Sequence, residues 1–451
     1  MSKTYLIVGT GKSGIAATEL LQRMGETPIL FDGNEDADLE KIKAEHPELA
    51  SVMMCKGQVS EELLQKIDIV VLSPGVPTDI PMVEEFRAHN LPIWGEVELA
   101  YELGKGQVVG ITGTNGKTTT TALTGEIMKE HFKSVFVVGN IGIPYTSIAD
   151  KTLEESVSVA EISSFMLETI CEFHPHVSAI LNITPDHLNR HHTMENYIAA
   201  KENITCNQTE DDVVVLNYED EVLREFGKSA KPKVVYFSSR QKLDEGLYYE
   251  DGAIYWSRGG EVEEVIKTSE LQILGLHNYE NVMAAVAMGA SMGVPMEEIR
   301  EALRKFQAVE HRIEYVCEKN GIRFYNDSKG TNPDAAIKGI QAMDRKTCLI
   351  GGGYDKQNTY DEWIESFDGK VKKLVLIGQT RKDIAACCDK HDFHDYCFAE
   401  TLEEAIDICY ETAESGEAVL LSPACASWGM FPNYEERGRI FKEYVRNLKE
   451  A

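Results

Sequence analysis

Short β-branched runs punctuate the chain at intervals, each ending in a glycine or polar turn and followed by a helix-compatible segment. Tyr5–Val8, Pro28–Phe31 and Ile67–Leu72 predict strands of a first α/β region. Val108–Thr112, Val135–Val138, Val157–Ala160, Val177–Leu181, Val213–Leu216 and Val234–Phe237 predict a second, largely parallel sheet. Residues 240–270 are polar, with Gly259-Gly260 between short alternating runs, and read as hairpins or loops. Ile322–Tyr325, Thr347–Ile350, Leu374–Ile377 and Ala418–Leu421 predict a third sheet. Pro and Gly punctuate Leu91–Glu96, and Glu310–Glu314 reads as a second linker. At 451 residues the chain is too long for one ordinary core, and domains are expected at 1–97, 98–309 and 310–451.

Charge narrows the partners. Asp and Glu number 74 against 45 Lys and Arg, a formal net charge of −29. Nucleic acid needs a basic surface, so it is excluded as a partner. An anionic substrate would have to be held by local Lys, Arg and helix N-termini. No apolar run is long enough to span a bilayer. Met1–Thr4 passes straight into the first strand, leaving no room for a signal peptide, so a cytoplasmic protein is expected. The 10 cysteines form no C-x-x-C pair and are expected to be reduced core residues, without a zinc site.

The richest stretch is Val108–Thr121, VVGITGTNGKTTTT. A strand breaks at Gly113, the loop Gly113-Thr114-Asn115-Gly116-Lys117-Thr118-Thr119 follows, and a helix is expected from about Thr118 to Glu130. Strand, glycine loop and helix form the context of a phosphate-binding loop. Lys117 would reach the outer phosphates and the Thr118 hydroxyl would sit on Mg²⁺. The usual loop has about four residues between its first glycine and the Gly-Lys pair; here only Thr114 and Asn115 intervene. An ordinary strand-to-helix turn is the alternative. Polar residues also follow three neighbouring strands: Asn140, Glu161, and Thr184-Pro185-Asp186-His187. Beside a phosphate loop, these suggest a metal–nucleotide site, with Glu161 as a Mg²⁺ ligand. Mg²⁺ prefers oxygen, so His187 is the weaker candidate, and His191 and His192 read as solvated or packing residues. Spacing alone makes Lys201 an exposed lysine. Asn278 and Asn281 share a helix face, to cap the helix or to bind an adenine edge.

The other two regions carry quieter signals. Gly9-Thr10-Gly11-Lys12-Ser13-Gly14 is a G-x-G-x-x-G turn, and Asp32 ends the next strand where a ribose-binding carboxylate would lie. Alone this suggests an NAD-dependent dehydrogenase, or more broadly a nucleotide-like ligand. Ser73-Pro74-Gly75-Val76-Pro77 is a further rigid turn at the same sheet edge. In the last region, Lys329, Thr331, Lys356 and Ser427 lie in turns after strands and suit a small dicarboxylate.

Taken together, Gly113–Thr119, Glu161-Ile-Ser-Ser164, Asp186-His187, Tyr197…Lys201, His277-Asn278…Asn281 and His311-Arg312 resemble the Mur ligases of peptidoglycan synthesis. Asn326–Asn332 and Leu421–Ser427 resemble the members that add D-glutamate. The resemblance covers the whole chain, and the family uses the short form of the phosphate loop. It implies an α/β protein of three domains: a Rossmann-like UDP-binding domain, a central P-loop ATPase with a mostly parallel sheet, and a Rossmann-like C-terminal domain. It implies an ATP-dependent ligase that joins D-glutamate to UDP-N-acetylmuramoyl-L-alanine through an acyl phosphate, and a monomer is expected. In the same way it implies that Lys117, Glu161, His187 and Lys201 are catalytic, with Lys201 carrying a CO₂-derived carbamate. Thr118, Glu161, His187 and that carbamate would bind two Mg²⁺ ions. Gly113–Thr119, Asn278, Asn281, Arg312 and Asp327 would bind ATP. Lys12, Ser13, Asp32, Gly75 and Asn140 would bind the UDP substrate. Lys329, Thr331, Lys356, Ser427 and Tyr434 would bind D-glutamate.

Overall fold

Each strand expected from the β-branched runs is present in the computed structural model, which describes residues 2–307, 310–355 and 358–449. Two units are distinguished: residues up to 266 with 280–303, and residues 267–279 with those from 304 onward. The first unit holds two sheets and the second holds one.

The first sheet comprises β1 (Thr4–Val8), β2 (Thr27–Asp32), β3 (Met53–Lys56), β4 (Ile69–Leu72) and β5 (Ile93–Gly95), in the order β3-β2-β1-β4-β5. All its pairings are parallel. Leu6, Val8, Phe31, Val70 and Leu72 fill one side. Tyr5, Ile7, Leu30, Ile69 and Val71 fill the other. Helices cover both faces of such a sheet, which is why its strands read as unbroken apolar runs rather than as alternation.

The second sheet has nine strands: β6 (Gln107–Thr112), β7 (Val135–Gly139), β8 (Val157–Glu161), β9 (Val177–Ile180), β10 (Val213–Asn217), β11 (Lys233–Ser238), β12 (Gly246–Glu250), β13 (Ala253–Arg258) and β14 (Glu261–Lys267). Their order is β14-β13-β12-β11-β10-β9-β6-β8-β7, parallel from β7 through β12. The polar stretch read as hairpins forms β12 to β14, with β12 and β13 antiparallel. In the second unit, β15 (Glu314–Lys319), β16 (Ile322–Asn326), β17 (Thr347–Gly353), β18 (Val371–Gly378), β19 (Tyr396–Phe398) and β20 (Ala418–Leu421) take the order β15-β16-β20-β17-β18-β19. Only β15 pairs antiparallel there. Among the described residues no helix is long and apolar enough to cross a membrane.

The punctuated stretch around Leu91–Glu96 holds edge strand β5 and the start of the helix Glu96–Leu103. Two acids on this helix are buried. Glu96 Oε1 accepts the Thr146 backbone N–H and hydroxyl, each at 2.7 Å. Glu98 accepts the backbone N–H groups of Cys171, Glu172 and Phe173 at 2.8, 2.7 and 3.1 Å. Together with Gly95 N–H on Thr169 O (3.0 Å) and Arg23 on Asp150 (2.7 Å), they fasten the first sheet to the second within one unit. The cysteines depart from expectation. All are free, but only Cys348, Cys388, Cys409 and Cys425 are buried, while Cys171 and Cys206 are exposed.

Glu98→Ala leaves three backbone N–H donors, that of Phe173 buried and those of Cys171 and Glu172 part-buried, without their acceptor. It is expected to lower unfolding stability by about 3 kcal/mol, read from urea denaturation, whereas an exposed acid such as Glu62 changes it negligibly when replaced.

Candidate active site

β6 lies between β8 and β9 in the second sheet, and its C-terminal end opens into the glycine loop. Gly116 caps the helix Lys117–His131 with φ +86, and a Cβ there would lie 2.3 Å from Asn281 Oδ1. Both conformation and space therefore demand glycine. The loop is stitched to the end of β9. Thr114 N–H donates to Asn182 O (2.9 Å), Asn115 N–H to Asn182 Oδ1 (2.8 Å), and the Thr114 hydroxyl to Thr184 O (3.1 Å). Asn281 Oδ1 accepts the Thr120 hydroxyl at 3.1 Å, so this asparagine braces the helix behind the loop. Thr118 and Thr119 stand in that helix's first turn, Thr118 half-buried and Thr119 buried.

Two ammonium groups meet at the first carbonyl of the loop. Lys117 Nζ donates to Gly113 O (2.9 Å) and Thr114 O (3.0 Å). Lys201 Nζ, from the helix Met194–Glu202, donates to Gly113 O at 2.8 Å. Spacing made Lys201 an exposed lysine; the structure leaves it only 1 % exposed. Its Nζ lies 4.7 Å from the Tyr197 ring centroid, and Tyr197 Oη is 3.0 Å from Thr114 Oγ1. Burial, and next the positive charge of Lys117, push the Lys201 ammonium down to about 7, partly countered by Asp186.

Glu161 ends β8, paired with Ile111 of β6 and Gly139 of β7. It is buried, and its Oε1 accepts Asn140 Nδ2 at 2.8 Å. Its Oε2 is buried without a hydrogen-bond partner. A buried carboxylate oxygen left without a donor suits a cation, so the residues present fit a hard divalent metal. His187 lies apart from these bonds, exposed, with φ 51 and Nε2 3.5 Å from Asp186 Oδ2. Its ring sits 5.0 Å from that of Phe165. His191 is buried, donating to or accepting from Ser164 Oγ at 2.9 Å, whereas His192 is exposed and pairs with Asp79 at 2.9 Å. Those two match the packing and solvated roles expected of them.

In the first sheet, Lys12 and Ser13 open the helix after the G-x-G-x-x-G turn. A Cβ on Gly14 would lie 1.8 Å from Gly9 O, which accounts for the glycine at that position. Asp32 is engaged by its own turn, accepting the Thr10 hydroxyl (2.5 Å) and the Asn34 N–H (2.9 Å). Gly75 is exposed in the turn after β4, with open space around it.

The second unit gathers its own set. Asn278 Nδ2 donates to Leu274 O at 2.7 Å, tying the first turn of the helix Leu276–Ser291 to the segment before it. Asp327 follows β16 fully buried, accepting the Ser422 hydroxyl (2.6 Å) and the Ile313 N–H (3.3 Å). Burial pushes its carboxyl up to about 7, with Ser422 and Arg312 pulling the other way. Arg312 Nε is buried without a partner. Lys329 Nζ lies 5.8 Å from the Tyr434 ring centroid, Thr331 N–H donates to Lys329 O (2.8 Å), and Ser427 is buried. Lys356 lies outside the described residues. A residue that the sequence did not single out organises this cluster. Arg437, 1 % exposed, donates to Ser328 Oγ (2.9 Å), Ser328 O (2.7 Å) and Cys425 O (3.3 Å). Ser328 Oγ in turn donates to Tyr434 O at 2.8 Å. One guanidinium thus joins the turn bearing Asp327 and Lys329 to the loop bearing Ser427. No local motif announces it, because Ser328, which takes two of its bonds, is 109 residues away in sequence.

Comparison with known proteins covers all three regions. Residues 3–95 match the Mur ligase MurD-like N-terminal domain, 111–289 the Mur ligase middle domain, and 311–425 the Mur ligase glutamate ligase domain. A UDP-N-acetylmuramoylalanine--D-glutamate ligase of Lachnoclostridium phytofermentans is 56 % identical over 451 residues, covering 100 % of this chain and 99 % of the relative. One of the same name from Lachnospira eligens is 54 % identical over 447 residues, covering 99 % of each. Among solved structures, a UDP-N-acetylmuramate-alanine ligase of Thermotoga maritima superposes with a TM-score of 0.60 at 20 % identity, covering 100 % of both chains. MurF of Acinetobacter baumannii does so with a TM-score of 0.62 at 16 % identity, covering 98 % of this chain and 93 % of that one. The structural likenesses establish the three-domain α/β fold, and the sequence identities go further: the chain belongs to the Mur ligase family.

Proposed function

We propose that this chain is an ATP-dependent ligase that forms the amide between UDP-N-acetylmuramoyl-L-alanine and D-glutamate in the cytoplasmic stage of peptidoglycan synthesis. The observation that carries the reading is the convergence of Lys117 and Lys201 on the Gly113 carbonyl, beside a strand that ends in a half-satisfied buried Glu161. That constellation suits phosphoryl transfer rather than hydride transfer, and the complete set of Lys117, Glu161, His187 and Lys201 speaks against a catalytically dead nucleotide-binding regulator. The full-length identity to D-glutamate ligases supplies the substrate pair.

The reaction is phosphoryl transfer followed by acyl transfer. The alanine carboxylate takes the γ-phosphoryl group of ATP, giving an acyl phosphate and ADP. The D-glutamate amine attacks the acyl carbon, and phosphate leaves as the amide forms. Such chemistry depends on positioning and charge neutralisation. Backbone N–H groups at the start of the helix Lys117–His131 cradle the phosphates, and Lys117 follows the outermost one. Asn140 presents the muramoyl substrate. Lys12, Ser13, Asp32 and Gly75 line the uridine diphosphate, so the N-terminal glycine turn serves UDP rather than NAD. In the second unit Arg312 and Asp327 are assigned to nucleotide, and Lys329, Thr331, Lys356, Ser427 and Tyr434 to D-glutamate. Asn278 and Asn281 are assigned to adenine, although both side chains are already bonded within the fold. Thr118, Glu161, His187 and a carbamate on Lys201 would hold two Mg²⁺ ions, which supply neutralisation of phosphate charge. Carbamate formation consumes a neutral amine and CO₂ and releases a proton. A buried amine without a carboxylate partner among the described residues is suited to it.

The deciding experiment is phosphate release from ATP with UDP-N-acetylmuramoyl-L-alanine and each of several amino acids. Turnover preferring D-glutamate is expected; preference for another amino acid overturns the substrate assignment, and no turnover overturns the reading. Lys201→Ala is expected to lower kcat by roughly a hundredfold or more, with partial recovery in a short carboxylic acid. A fully active Lys201→Ala enzyme would count against the carbamate. Gly116→Ala forces a side chain into Asn281 at a left-handed φ, and should raise the KM for ATP by roughly tenfold in steady-state kinetics.

A further inference from the structure

We propose that Glu168 is a positioning residue that clamps the Ser73–Pro77 turn of the first sheet to the His187 segment of the second, through Arg190 and His191. The proposal rests on the ligase reading, in which that turn lines the UDP substrate and His187 faces the reacting groups.

The geometry is a small buried hub. Arg190 Nη2 donates to Glu168 Oε2 at 2.7 Å and to the Val76 carbonyl at 2.9 Å. One guanidinium nitrogen therefore holds the substrate turn and the second sheet together. The Thr78 hydroxyl reaches the same Glu168 oxygen at 3.4 Å. The other oxygen, Oε1, lies 3.3 Å from His191 Nδ1, and His191 Nε2 lies 2.9 Å from Ser164 Oγ. The side chains of Arg190, Glu168 and His191 are only 12, 15 and 3 % exposed. A carboxylate so enclosed binds its partners far more firmly than a surface pair does.

What the hub holds is strained. His187 and His192 bracket the short helix Leu188–His191, and both have left-handed backbones, φ 51 and 66. Such a backbone is costly for a residue with a side chain and persists only where neighbours enforce it. Arg190 and His191 lie between them and are both anchored on Glu168. Phe165 completes the enforcement: its ring is 5.0 Å from the Arg190 guanidinium, 5.5 Å from His191 and 5.0 Å from His187. A cleft of about 210 Å³, lined by Thr78, Asp79, Glu168, Arg190 and His191 among others, opens directly over the hub. Stability alone would be served as well by an apolar plug at this junction. A charged clamp fixes register instead: it sets the Val76 carbonyl relative to His187.

The test uses Glu168→Ala, Arg190→Ala, the double variant and the isosteric Glu168→Gln in the full chain. Each single alanine variant is expected to weaken equilibrium binding of UDP-N-acetylmuramoyl-L-alanine by about tenfold while leaving the KM for D-glutamate within about twofold. The double variant should be no worse than the weaker single one, since both remove one connection. Glu168→Gln keeps the shape and should fall between, guarding against variants that fail to fold. Glu62→Gln, which removes only an exposed pair with Lys66, should leave activity unchanged. Hydrogen exchange of residues 73–82 is the readout independent of turnover, and it should accelerate in both alanine variants while β1 and β4 stay protected. Unchanged exchange there in folded variants overturns the clamp. So do parallel losses in every KM accompanied by a general fall in melting temperature, which mark a merely structural role. A wild-type chain without turnover would defeat the ligase reading instead, and the exchange result would still decide the clamp.

Discussion

A single carbonyl oxygen, that of Gly113, receives two lysine ammonium groups, and the active-site side of the second sheet is arranged around that fact. Two like charges on one acceptor repel, the more so in surroundings from which water is excluded. The fold tolerates the arrangement by lowering the proton affinity of the deeper lysine and by placing it over the Tyr197 ring. Tyr197 in turn holds Thr114, so the residue that shelters Lys201 also shapes the loop that Lys117 serves. Positive charge is thereby concentrated at the start of the glycine loop, where the proposed ligase would neutralise the phosphates of ATP.

The sheet supplies the rest by register. Parallel pairing puts the C-terminal ends of β6, β7, β8 and β9 on one edge. Gly139 and Ile111 flank Glu161, so Asn140 and Glu161 meet without any long-range search. Asn182, just past β9, then closes the glycine loop from the other side. The same rule places Asp327, after β16, and Ser422, after the adjacent β20, in hydrogen-bond contact within the second unit. Ligand-binding edges of α/β sheets follow from strand direction before any particular side chain is chosen.

This is why so much was legible beforehand, and why certain residues were not. β-branched runs buried on both faces reveal strands, and Gly-Lys-Thr between a strand and a helix reveals a phosphate loop, because both signals are local. The missed strands, β3, β5, β15 and β19, all lie at sheet edges; β3, β5 and β19 have only three or four residues, too short for a pattern, and the six residues of β15 are charged at both ends with none buried. Lys201 was illegible from spacing: its burial comes from Gly113, 88 residues earlier in the chain. Resemblance to a family, not periodicity, drew attention to it. Glu98, Arg437 and Glu168 gave no signal at all. An acid or base on an amphipathic helix looks solvated until distant backbone groups are found to be its partners. Buried ionic residues are specified by tertiary structure, and a single sequence carries that information only implicitly.

The global charge sharpens the same point. A chain with a net charge of −29 repels nucleotides and dicarboxylates at long range. Salt within a Debye length of about 8 Å screens most of that field, but it does not reach buried donors. In the proposed ligase, affinity for anions would be concentrated where water is excluded: helix N-termini, Lys117 over the glycine loop and Arg312 with a buried unpaired Nε. Lys117 Nζ donates to the neutral carbonyls of Gly113 and Thr114. The acidic surface and such interior donors are thus two sides of one arrangement, in which the repulsion is screened by the medium and the attraction is not.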